Sequence, residues 1–172
     1  KDGAPPTGRR ADSEGLASDD SGAGFVPFCN RARVARLDLQ SGVLSYCNAG
    51  HDNPYRLHPG HGELRCIDDG DGPPLCALPD YDYRGASIQL LPGEMLCLMT
   101  DGVSEAQTPD GQLYGNERVQ QRLLELQQRG VGARVLVEAL QADVNAFAAG
   151  AEPADDLTIL ALRWNGPAGA AA

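Results

Sequence analysis

Residues 95–100, Met-Leu-Cys-Leu-Met-Thr, form an uncharged run boxed in by Pro92-Gly93 before it and Asp101-Gly102 after it. A run this short between two turn signals reads as a buried strand rather than a helix. Asp101 then stands at the strand's end. An ionised carboxylate at the mouth of a core is costly unless it is hydrogen-bonded, paired or bound to a cation, so its position demands a partner. Asp-Gly is also common turn punctuation, and turn chemistry competes with a functional role at this point.

The rest of the chain supplies a core for that strand. With 172 residues it has the length of about one domain, which buries roughly 70% of its unfolded surface. No apolar run approaches the roughly 18 residues that a membrane helix needs, and no segment reads as a signal peptide. The net charge of -10 argues against a nucleic-acid surface or an anionic membrane, both of which select a basic footprint. Acid is concentrated in residues 52–110, which hold eleven Asp/Glu against Arg56, Arg65 and Arg84, a net of -8. Five cysteines (29, 47, 66, 76 and 97) form no CxxC pair and leave an odd thiol in any disulfide scheme. Cys47, Cys66 and Cys97 sit in strand-like apolar runs, where a free cysteine behaves as a small hydrophobe. A reducing cytoplasm and no zinc site follow.

Residues 1–24 are Gly, Pro, Ser, Ala and charges around a single large aliphatic, Leu16, and read as a flexible linker or loop. From Phe25 the pattern changes. Residues 34–39 and 43–48 flank the turn Gln40-Ser41-Gly42 as a hairpin, and short strands follow at 55–58, 63–67, 86–91 and 95–100. The period then switches to 3.6. Asn116 is the expected N-cap of a helix over 117–128 with Val119, Leu123 and Leu126 on one face. A second helix, 133–148, stacks Leu136, Leu140, Val144 and Phe147. A last strand covers 157–164, and 166–172 is a frayed tail. Strands, then helices, then a strand predict an α+β fold, a layered sandwich of antiparallel sheet and helices. The acidic stretch 68–72 fails the calcium-loop pattern, since Pro73 and Asp80 fall where ligands belong, and it reads as a surface turn.

A second acidic pair, Asp155-Asp156, opens the last strand as Asp101 closes another. Two strand-end carboxylates suit a hard-cation site, although spacing alone does not make the two strands neighbours.

Four blocks in order, "YCNAGHDNPYRL" (46–57), "LCLMTDGVSEA" (96–106), "YGNERV" (114–119) and "ADDLTILALRW" (154–164), resemble the second half of the bacterial PPM-type (type 2C-like) serine/threonine phosphatases of the stage II sporulation protein E and RsbU kind. The resemblance spans Phe25 to Trp164, within a domain of 25–165. It implies two antiparallel β-sheets flanked by helices, incomplete at the N-terminus, and a two-metal Mn²⁺ or Mg²⁺ site. By the same resemblance Asp101 and Asp155 are the catalytic metal ligands, with Asp156, Gly102 and His51 around them. A cation would let Asp101 stay ionised, and Gly102 would let the backbone turn away without a side chain in the site. Asp156 is either an outer-sphere group or a strand cap, and His51 either fixes a turn or acts as a general acid. Without metal the acids repel one another, so Asn variants would be slightly more stable. By the same resemblance, paired cations would supply an activated water for attack on phosphorus, with no protein nucleophile needed.

The family's upstream block of metal-binding acids, GD-[FY]-[FY]-D, has no counterpart here, and Leu75-Cys76 and Asn53-Pro54-Tyr55 depart from its usual loops. The expected function is a cytoplasmic phosphatase module of a bacterial signalling protein whose parent carries an upstream sensor or receiver domain and is either soluble or membrane-anchored. Its expected partners are a phosphorylated protein substrate, by family precedent an anti-sigma-factor antagonist, and a second copy in a homodimer. The alternative is a degenerate phosphatase-fold module that binds a regulatory partner without catalysis.

Overall fold

The structure, a computed structural model, describes residues 31–58, 64–70, 72–152 and 155–167. The linker expected over 1–24 and the tail beyond 167 lie outside these residues. The elements run β1 (Ala32–Leu37), β2 (Val43–Ala49), β3 (Tyr55–Leu57), β4 (Arg65–Cys66), β5 (Ala86–Gln89), β6 (Met95–Met99), α1 (Asp101–Ser104), α2 (Gly115–Gln128), α3 (Ala133–Ala148) and β7 (Ile159–Arg163). They form two antiparallel sheets, β1-β2-β5 and β4-β3-β6-β7. This is the expected α+β sandwich.

The apolar run of β6 is explained by its place between two layers. Met95, Cys97 and Met99 join the cluster under the helices with Val119, Leu123, Leu136 and Leu140. Leu96 and Leu98 point the other way, into a second cluster with Leu44 and Tyr46 of the first sheet and Leu90 just after β5. Period-two alternation puts successive residues on opposite faces, and here both faces are covered. Burial pushes the Cys97 thiol up to about 12. Trp164 closes the second cluster. Its indole lies against Gly42, where a Cβ would come within 2.4 Å of the ring at a backbone φ of +76°, and its Nε1 donates to Leu39 O at 3.2 Å.

The β1–β2 turn is tied by Asp38, whose Oδ1 accepts from Gln40 N–H at 2.8 Å and Ser41 N–H at 3.1 Å. The β5–β6 turn is held by Glu94, 3% exposed. Its carboxylate accepts from Arg56 Nε at 2.9 Å and from Arg56 Nη2, and one oxygen also takes Leu91 N–H at 2.7 Å.

The helical stripes bury as the 3.6 period predicts, with Phe147 only partly covered. The start of α2 differs. Asn116 is not the N-cap: the helix begins at Gly115, and Tyr114 stands at the cap with no side-chain cap bond. Tyr114 fixes the entry instead, since it is buried, packs edge-to-face on Phe147, and donates its hydroxyl to Asp143. Burial and that carboxylate raise its phenol well above the ordinary range. Strand β4 is only two residues long and Cys66 on it is exposed, contrary to the apolar setting expected for it. Cys47, Cys76 and Cys97 are free thiols.

Candidate active site at the ends of two paired strands

Strands β6 and β7 are neighbours, paired from Met95↔Arg163 to Met99↔Ile159. The residues after Met99 and before Ile159 therefore share one end of the sheet. That antiparallel pairing brings Asp101 and the pair Asp155-Asp156 together. Thr100 stitches the two segments. Its N–H donates to Thr158 O at 3.1 Å, its hydroxyl donates to Asp156 O at 2.7 Å, and the same oxygen accepts from Thr158 N–H at 3.0 Å.

Gly102 makes the approach possible. A Cβ there would stand 2.6 Å from Asp156 O and 3.2 Å from Asp155 O. The lost side chain thus serves close backbone contact between the two acidic segments. Asp101 opens the one-turn helix α1, and its carbonyl accepts Glu105 N–H at 2.8 Å.

The partner that Asp101 demands is Arg31. Its Nη1 lies 2.6 Å from Asp101 Oδ2, with side-chain exposures of 52% and 27%. Arg31 immediately precedes β1, where Ala32 pairs with Ala49 and bridges to Gly50. Sequence reasoning missed Arg31. The signal was available: Arg31 and Arg33 alternate with Ala32 and Val34 at strand period, on the same face as Ala35 and Leu37. Charges on a face that should be buried need acidic or polar partners. Arg33 has one in Asn53 Oδ1, at 2.7 Å.

Asp155 is exposed, and its Oδ1 accepts from Asp156 N–H at 2.7 Å. Asp156 takes part through its carbonyl. His51 is bound by its backbone, donating N–H to Asn48 Oδ1 at 3.0 Å and accepting from Asn48 Nδ2 at 2.8 Å, while its ring Nδ1 lies 3.2 Å from Asp52 O. This is the geometry of a loop anchor, with buried Asn48 as the post. Behind the acids a cleft of about 280 Å³ opens between Gly102, Gln107, Gln141, Asn145, Glu152 and Asp155.

The donor chemistry here is carboxylate oxygen, which fits a hard divalent cation in kind. In number it falls short: among the described residues no three His, Cys, Asp or Glu side chains converge on one point.

Two antiparallel sheets, helices on one face and acids at a shared strand end define the fold of the PPM (PP2C) phosphatases. Within that class the chain belongs to the stage II sporulation protein E (SpoIIE) family, whose pattern residues 28–165 match. A curated relative, Protein IcfG of Synechocystis, is 29% identical over 130 residues, covering 75% of this chain and 20% of that protein. Three solved structures share the fold. The phosphatase domain of the cell fate determinant SpoIIE from Bacillus subtilis, presoaked with Mn, aligns with a TM-score of 0.59 at 16% identity over 78% of this chain and 56% of that one. The SiaA PP2C domain of Pseudomonas aeruginosa gives 0.61 at 24%, over 77% and 51%. The RsbU and RsbW domains of Rv1364c from Mycobacterium tuberculosis give 0.62 at 23%, over 83% and 38%. The chain thus spans about a fifth of the curated relative and about half of the SpoIIE and SiaA domains.

Proposed function

We propose that this chain is the C-terminal part of a metal-dependent phosphoserine/phosphothreonine protein phosphatase, the output domain of a bacterial signalling protein. The observation that supports the reading is that the segments carrying Asp101 and Asp155 lie side by side at one end of β6–β7, tied by Thr100 and in close backbone approach at Gly102. Asp101 and Asp155 would hold Mn²⁺ or Mg²⁺, which when bound supplies an activated water for attack on phosphorus. The chain's own residues do the positioning. Thr100 fixes the separation of the two segments, Gly102 keeps their backbones in contact, and the Asn48–His51 clasp shapes the adjoining loop. Further acids from upstream sequence would complete the ligand set. Family resemblance makes the substrate a phosphorylated regulatory protein of the anti-sigma-factor antagonist type. No helix among the described residues is long and apolar enough to cross a membrane, and a cytoplasmic setting for the domain agrees with the free thiols of Cys47, Cys76 and Cys97.

The test is hydrolysis of a phosphoserine peptide by a longer protein that contains this chain. Mn²⁺- or Mg²⁺-dependent release of phosphate, abolished by EDTA and by Asp101→Asn, is expected. Turnover indifferent to EDTA overturns the reading. A second reading, a degenerate module that binds a partner without catalysis, is favoured by one observation: Asp101 is already neutralised by Arg31. Absence of turnover with metal in the longer protein would select it.

A further inference from the structure

We propose that the cleft behind Asp155 is a subsite for a basic side chain, an arginine that neighbours the phosphoserine of a protein substrate. The substrate half of this rests on the phosphatase reading above, whereas the subsite itself can be tested without catalysis. The cleft opens between the last turns of α3 and the segment that leads into β7, with a volume of about 280 Å³. That is below the roughly 300–1,000 Å³ of pockets that bury a whole small-molecule ligand, and it suits one long side chain. The floor is apolar: Val144 is buried and Leu157 partly buried in the cluster under the helices. The rim is of the opposite character. Gln141 and Asn145 bring amides, Glu152 and Asp155 bring carboxylates, and among the described residues that line the cleft none is basic. The end of α3 adds to this, because a helix carries partial negative charge at its C-terminus and no basic residue in the last turn offsets it. An apolar floor under an acidic, amide-lined rim matches a methylene stem that ends in a delocalised cation. The stem covers Val144 and Leu157, and the guanidinium spreads its N–H donors over several acceptors. Position ties the cleft to the substrate. Gly102 and Asp155 line it, so it borders the acidic strand end on the helix side, whereas Arg31 reaches Asp101 from the start of β1 in the other sheet. A phosphoserine at the acids would carry its neighbouring side chains past this rim. Glu152 has no part in the proposed centre and is the residue that sets the preference. Both carboxylates are exposed, so the preference is several-fold rather than absolute.

The probe for the subsite is N-acetyl-arginine amide, titrated into the isotope-labelled chain and followed residue by residue through backbone amide NMR shifts, with the citrulline amide as its neutral isostere. The arginine amide should shift Val144, Asn145, Ala151 and Glu152 in a saturable way, and the citrulline amide should bind about tenfold more weakly. Glu152→Gln should weaken the arginine amide by about threefold. Glu138→Gln makes an equal charge change at an exposed position of α3 and should leave binding unaltered. Added salt should weaken it. Absence of shifts, shifts centred elsewhere, equal binding of the two amides, or equal loss in Glu152→Gln and Glu138→Gln overturns the subsite. The substrate assignment is read in the longer protein with Mn²⁺, from kcat/KM for phosphoserine peptides that carry arginine or citrulline at each neighbouring position in turn. The expected result is a preference of about fivefold for arginine at one position, falling toward parity in Glu152→Gln and kept in Glu138→Gln. Turnover without that preference overturns the substrate assignment and leaves the phosphatase reading standing. No turnover of any peptide removes the reading and the assignment together.

Discussion

The hydroxyl of Thr100 donates to the carbonyl of Asp156 at 2.7 Å, joining the segment that carries Asp101 to the one that carries Asp155. The bond is made by a side chain but fixes two backbones, so it sets the spacing of the acids without touching either carboxylate. Thr100→Val keeps the β-branched shape and removes the hydroxyl. It should cost about 1–2 kcal/mol in urea unfolding, because Asp156 O and Thr158 N–H both lose their partner, and it should weaken Mn²⁺ binding. Gly102→Ala acts at the same junction by steric means. A Cβ at 2.6 Å from a carbonyl forces the backbones apart, at a cost of roughly 1–3 kcal/mol and with a greater loss of metal binding.

Asp101→Asn and Asp155→Asn should each reduce Mn²⁺ affinity while the circular dichroism spectrum is retained. Their stabilities should differ in the absence of metal. Simple repulsion between the acids predicts that either change stabilises the apo protein. Arg31 reverses this for Asp101, since the variant gives up an ion pair of about 0.2–1 kcal/mol. Urea midpoints at low salt should therefore place Asp101→Asn at or below wild type and Asp155→Asn at or above it.

Glu94→Ala should be among the most damaging changes outside the site. Arg56 reaches this buried carboxylate with two nitrogens, and the Leu91 amide is tied to it as well. Removing it leaves a guanidinium that is 19% exposed without its counter-charge. A loss of about 3–5 kcal/mol is expected for breaking a buried pair from one side, measured by urea or thermal unfolding. An Arg56→Met, Glu94→Leu double variant should recover part of it.

Cys97 should be inert in the native state. Its thiol is fully buried and pushed up to about 12, from an ordinary value of 9.0. A thiol-reactive probe at neutral pH should label the exposed Cys66 and Cys76 and leave Cys97 untouched until the protein unfolds. The sign of the pH dependence follows. The folded state keeps the proton that the unfolded chain releases above about pH 9, so Cys97 contributes stability at neutral pH that declines as pH rises from about 9 to 12. Cys97→Ala should flatten that decline while lowering stability throughout.

The elements that could be read from sequence are those whose periodicity is enforced by burial. Strand β6 is apolar on both faces because both are covered, and α2 and α3 show clean stripes. The α2 entry was misread because propensity favours Asn at a cap, whereas here the buried Tyr114 ring decides where the helix starts. Cys66 was misplaced because β4 is too short to show alternation. Asp101 and Asp155 were recognisable by resemblance, but their meeting was not readable from spacing, since the pairing of Met99 with Ile159 joins distant parts of the chain. Arg31 was passed over because the strand read over 34–39 leaves the alternation of Arg31 and Arg33 outside it, and because its partner is a long-range contact.

The last prediction concerns the chain by itself. The first sheet exposes Val34 at 72%, and the second exposes Leu160 at 57% and Leu162 at 38% on the side that faces the gap between the sheets. These two leucines, with Leu98, Leu44 and Leu37, line an apolar cleft of about 270 Å³. Among the described residues β1 and β7 each end a sheet, so each offers an unpaired edge beside this apolar surface. An open edge next to exposed leucines invites pairing with another chain. The 172-residue chain should therefore associate in a concentration-dependent way in sedimentation velocity, and Leu160→Ser with Leu162→Ser should reduce that association. It should also be inactive on a phosphorylated protein with saturating Mn²⁺, because Asp101 and Asp155 supply too few oxygens to compensate the ion for its lost hydration. A protein extended upstream should be active and monodisperse. Robust metal-dependent turnover by the short chain would show that the described acids suffice, and a monomer at all concentrations would show that the cleft is already covered.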